Sequence, residues 1–149
     1  MVIFILRLSS SHFSPILISQ ELESVQKAEK FDHFELKVRR NAREVLAIYS
    51  IEEMSMELLV RLPHNHPLNP VAVECGRRVG IEEKLWRKWL LQLFTFLTNQ
   101  NGSILDGVML WKKNLDKIFE GKDECMICFY ILHGSTLELP EKQCKSCRK

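Results

Sequence analysis

The 149-residue chain is 46% hydrophobic and 27% charged with a net charge of +2, the balance of a soluble protein with one ordinary domain and a small appendage. Such a charge excludes a broadly basic face for duplex nucleic acid, and no apolar run approaches the roughly 20 residues that span a bilayer. The apolar stretch at 2–6 (VIFIL) is shorter than a signal-peptide core of about 7–15 residues and has no basic lead-in, so residues 1–14 are set aside as an atypical N-terminal segment and a cytosolic protein is expected.

In chain order, Pro15 falls in a first helical turn, and Ile16, Leu17, Leu22 and Val25 recur among polar residues. This predicts an amphipathic helix over 15–29. The period then drops to two. Phe34, Leu36 and Val38 alternate with charge, Val45, Ala47, Tyr49 and Ile51 share a face, and Met54, Met56, Leu58, Val60 and Leu62 continue the pattern. These are three strands, and the short links RNA (40–42) and EE (52–53) predict antiparallel hairpins. A fourth short strand, VAVEC (71–75), follows a proline-rich connection. Helical spacing returns with Trp86, Trp89, Leu90, Leu93 and Leu97, and a second helix carries Leu105, Val108, Trp111, Leu115 and Phe119 after a Ser103/Asp106 capping box. Helix, four antiparallel strands and two helices make an α+β layer fold over 15–121.

The chemistry sits mostly at the C-terminal end. Cys125, Cys128, Cys144 and Cys147 form two Cys-x-x-Cys pairs with 15 residues between them. Each pair presents two thiolates to one ion from the same side, and the spacing matches a four-cysteine zinc site. Redox Cys-x-x-Cys motifs open a helix in a thioredoxin-like unit, which this order of elements lacks. Cys75, alone in an apolar run, is expected to be a buried core thiol. His64 and His66 lie in LPHNHPLNP (62–70) without an evident third metal ligand and are expected to be solvated on a rigid loop. Trp86 and Trp89 fit the apolar stripe and are expected in the core. Glu52 and Glu53 are expected at a solvated hairpin tip. No Ser/His/Asp triad or phosphate-cradling glycine loop is present. The residues alone describe an interaction domain with a zinc appendage.

The stretch from REVLAIYSIEEMSMELLVRLPHNHPLNPVAVECGRRVG to DECMICFYILHG resembles the C-terminal end of the listerin family, the RING-type E3 ubiquitin ligases of ribosome-associated quality control. The resemblance covers about residues 15–149 and implies an RWD domain, with Pro63, Pro67 and Pro70 in its proline-rich turn, followed by a RING over 122–149. In that family the RING binds its zincs cross-brace. The resemblance therefore implies that Cys125 and Cys128 belong to one zinc and Cys144 and Cys147 to another, in an incomplete RING whose remaining His and Cys ligands are not in this sequence. It also implies that Ile127 contacts an E2 ubiquitin-conjugating enzyme charged with ubiquitin. The RING would supply no nucleophile, but would orient the thioester for a substrate lysine. Because the set is incomplete, activity is expected of the completed RING rather than of this chain. The RWD part is implied to help seat the ligase on the 60S subunit beside a stalled nascent chain, without sequence-specific nucleic-acid readout. Arg39, Arg40, Arg77 and Arg78 are the basic residues available for that contact. The contrasting expectation is a non-catalytic RWD interaction module with one structural four-cysteine zinc or a disordered tail.

Overall fold

A computed structural model describes residues 12–28, 31–52, 54–100 and 102–120. Its elements are α1 (Ser14–Gln26), β1 (Phe34–Arg39), β2 (Glu44–Ile51), β3 (Met54–Arg61), β4 (Ala72–Cys75), α2 (Glu83–Asn99) and α3 (Ile104–Phe119). The strands form one antiparallel sheet in the order β1-β2-β3-β4. The α+β order expected from hydrophobic periodicity is thus the observed one.

Register follows from the alternation. Val45, Ala47 and Tyr49 on β2 stand opposite Val38, Leu36 and Phe34 on β1, and opposite Val60, Leu58 and Met56 on β3. All of these face the helices, and the β2 and β3 members are buried. The opposite face carries Leu46, Ile48 and Leu59, only half-buried, among charged residues. A one-residue slip would exchange the two sets, so the buried face specifies the pairing. β2 and β3 are joined through Glu52, which takes the left-handed conformation (φ 51°) at an exposed turn.

The three helices cover the inner face. α1 packs on β1, α2 packs on β4, and α3 contacts both of its helical neighbours. Trp111 of α3 is 1% exposed and meets Phe34 at 6.2 Å and Trp86 edge-on at 5.8 Å between ring centroids. Edge-to-face pairs of this kind add about 0.5–1.5 kcal/mol beyond the area they bury. Trp86 and Trp89 are both core residues, as their stripe predicts. Gly107 lets α3 approach α2, since a Cβ there would come within 2.8 Å of Leu93 and 2.9 Å of Leu97.

The helix ends show where local rules hold. Ser103 Oγ accepts a hydrogen bond from the Asp106 amide at 3.1 Å and donates to the Asp106 carboxylate at 2.6 Å, the predicted capping box of α3. α1 departs from expectation at both ends. Ser14 is its first helical residue, buried and preceded by Phe13 at the cap, and the helix ends at Gln26 rather than 29.

Candidate functional site

Cys125, Cys128, Cys144, Cys147 and Ile127 lie outside the described residues, and so does Glu53. Among the described residues no group of three or more His, Cys, Asp or Glu is arranged to hold a metal ion. No described helix is long and apolar enough to cross a membrane.

The proline-rich connection folds between α1 and α2. It carries a cis His66–Pro67 bond and borders a groove of about 800 Å³, whose walls include Leu17, Glu21, His66, Leu68, Phe94 and Thr98. The two histidines part company here. His64 is exposed as expected, but the Nδ1 atom of His66 is buried without a hydrogen-bond partner. Burial pushes the His66 imidazole below its usual range, and the Glu21 carboxylate opposes that only in part. Glu21 has its own task. Its Oε2 accepts the Ile104 amide at 3.0 Å, placing a carboxylate at the positive end of α3 and tying α1 to that helix across 83 residues of sequence.

A pH dependence follows. Because His66 binds a proton less readily folded than unfolded, its contribution to stability is complete above about pH 6.5. It is lost as the pH falls from there through the depressed folded value. Thermal melts between pH 7.5 and 5 should show a steeper decline in Tm for the native chain than for His66→Gln. Parallel curves would show that the imidazole is not desolvated.

Cys75 also departs from expectation. It stands opposite Leu58 on the inner face, yet at the last residue of edge strand β4 it is exposed. Its Sγ lies 3.6 Å from the Gly76 carbonyl. Burial of part of the side chain pushes the thiol above its usual range, against smaller opposing effects of Trp86 and Arg78. A thiol held protonated is a poor nucleophile.

The four arginines expected as contacts do not form one patch. Arg39 and Arg40 lie at the β1–β2 turn, whereas Arg77 and Arg78 follow β4. The register Arg39↔Glu44↔Arg61↔Ala72 sets the β1–β2 turn at one end of the sheet. Arg77, whose carbonyl accepts the Glu57 amide, lies toward the other end and at the opposite edge. Arg39 is also partly neutralised. Glu44, 8% exposed, reaches Arg39 at 3.5 Å and Arg61 at 2.8 Å, and Arg61 continues to Glu74 at 3.2 Å. The Arg61–Glu74 pair, exposed on both sides, contributes at most about 1 kcal/mol. Arg43, absent from the residues expected at a contact, joins Arg40 beside a second recess.

A helix packed at each edge of an antiparallel four-stranded meander, with a proline-rich turn between β3 and β4, is the arrangement against which relatives can be compared. A family model described as ubiquitin conjugating domain-like matches residues 34–118, from the first residue of β1 almost to the end of α3. The chain belongs to the ubiquitin-conjugating domain-like family. Across nearly its whole length this UBC-like chain is also similar to proteins named E3 ubiquitin-protein ligase listerin. It is 49% identical to that of Xenopus tropicalis over 144 residues, 96% of this chain and 8% of that protein. The Gallus gallus protein is likewise 49% identical over 96% of the chain. The Saccharomyces cerevisiae protein is 36% identical over 93% of the chain and 9% of its own length. The chain thus spans less than a tenth of the length of these relatives.

Proposed function

We propose that this chain is the C-terminal part of a cytosolic E3 ubiquitin ligase that modifies nascent chains on stalled 60S ribosomal subunits. The UBC-like, RWD-type domain helps to dock the ligase, and the cysteine segment contributes to a RING that recruits the E2–ubiquitin thioester. The carrying observation is the 49% identity to the Xenopus tropicalis listerin over 96% of the chain. Coverage that high leaves out too few residues for the cysteine segment as a whole to be excluded. On this reading Cys125 and Cys128 hold one zinc, Cys144 and Cys147 hold a second, and Ile127 between the first pair meets the E2. On this reading zinc supplies structure rather than reactivity.

Sedimentation of the purified chain with isolated subunits through a sucrose cushion tests the docking role. Recovery with 60S but not 40S subunits is expected, and equal recovery with both would overturn it. Native mass spectrometry in zinc addresses the tail. The C-x2-C-x15-C-x2-C spacing favours a second reading, a non-catalytic module around one zinc. One tightly held ion would support that reading over the two-site RING arrangement.

A further inference from the structure

We propose that the β1–β2 corner is a binding site for the phosphate backbone of RNA, with Arg40 and Arg43 as its anchors. The proposal deepens the 60S-docking reading and takes from it the choice of RNA among polyanions. The sequence RRNAR at 39–43 sets three guanidinium groups on one turn. The charge of Arg39 is partly offset by Glu44, which it shares with Arg61. Arg40 and Arg43 have no carboxylate partner within salt-bridge distance among the described residues, and each is instead held by a neutral acceptor. Arg40 clamps the Gln26 side-chain oxygen through Nε at 3.2 Å and Nη2 at 2.7 Å. Arg43 Nε reaches the Leu62 carbonyl at 3.4 Å. Such acceptors orient a guanidinium without cancelling its charge. A guanidinium has five donors, so most remain available to an incoming anion.

The surroundings fit an anion. Both arginines and His64 border a recess of about 580 Å³ floored by Pro15, Ile18 and Leu22, with no carboxylate in its lining. Apolar walls strengthen a charge-assisted contact relative to open water. Arg40 is felt by Glu23, but that carboxylate is already paired with Lys27 at 2.7 Å. Arg43 also stands in the left-handed region at φ 55°, where glycine or asparagine costs less than a long side chain. Asn41 and Ala42, between the two arginines in the turn, are exposed.

The test is fluorescence anisotropy of the full chain with a labelled A-form RNA hairpin over a salt series. Log affinity should fall linearly with log salt, by roughly 0.7–0.9 for each phosphate neutralised. The double variant Arg40→Gln/Arg43→Gln should lower that slope by about 2 and weaken binding about tenfold or more, while Arg77→Gln/Arg78→Gln leaves both unchanged. Arg40→Gln alone should lower the slope by about 1, and it serves if the change at Arg43 disturbs folding by circular dichroism. An unaltered slope in the Arg40/Arg43 variants overturns the site. Competition by polyglutamate as effective as that by unlabelled RNA overturns the assignment to RNA. Intact RNA binding by a chain that fails to sediment with 60S subunits would instead overturn the docking reading alone.

Discussion

Replacing Trp111 by alanine is expected to cost about 3–5 kcal/mol, the range for truncating a fully buried aromatic residue. Trp111 sits where α3 meets both the sheet and α2, packing against Phe34 and Trp86. The void cannot collapse from one side, because the neighbours are a β1 residue and a residue of another helix. With domain stabilities of about 5–15 kcal/mol, the change removes a large part of the total. Thermal denaturation should show a fall in Tm of at least about 10 °C. Trp111→Phe refines the test. The indole Nε1 is buried without a hydrogen-bond partner, so phenylalanine loses contact area but also removes an unsatisfied donor. Its cost should be well below that of alanine. Equal costs would show that the indole nitrogen is satisfied.

The second large effect is a contrast between neighbours. Leu58→Ala should destabilise by about 2–5 kcal/mol, and Leu59→Ala by about 1 kcal/mol or less. The two residues have the same chemistry and adjacent positions. Leu58 is 0% exposed beneath the helices and stands opposite Ala47, whereas Leu59 is on the open face opposite Leu46. Urea denaturation of the two variants reads the difference directly in the midpoint. Similar losses would mean that the outer face is covered in solution, which would move the search for a partner to Leu46, Ile48 and Leu59.

Much of this architecture is legible in local spacing. The alternation through Val45, Ala47, Tyr49 and Ile51 identifies a buried strand face because side chains alternate across a pleated backbone. The stripe Trp86, Trp89, Leu93 and Leu97 identifies the buried face of α2 by the same kind of argument at helical spacing. The Ser103/Asp106 box marks the start of α3 because capping is a contact between near neighbours in sequence. Cys75 shows the limit of this reasoning. Its alternation places it on the inner face, but that face is not covered at the end of an edge strand, and only the helix packing decides the coverage. His66 defies expectation for the opposite reason, since a loop residue with a polar side chain gives no periodic sign that two helices will close around it. Glu21 carries no local signal at all, because its partner amide is at Ile104. For Arg43 the RRNAR run is a signal, but one without geometry.

The sequence by itself determined the order of elements, the antiparallel hairpins, which face of each element is apolar and the resemblance to listerins, all of which depend on spacings within a few residues or on stretches of matching residues. Tertiary structure alone decided which charges are cancelled and which stand free. Strand register brought Glu44 between Arg39 and Arg61, and the packing of α1 brought Gln26 to Arg40. Charge pairing falls off within a few ångströms, and those distances are set by residues from 5 to 17 positions apart in the chain.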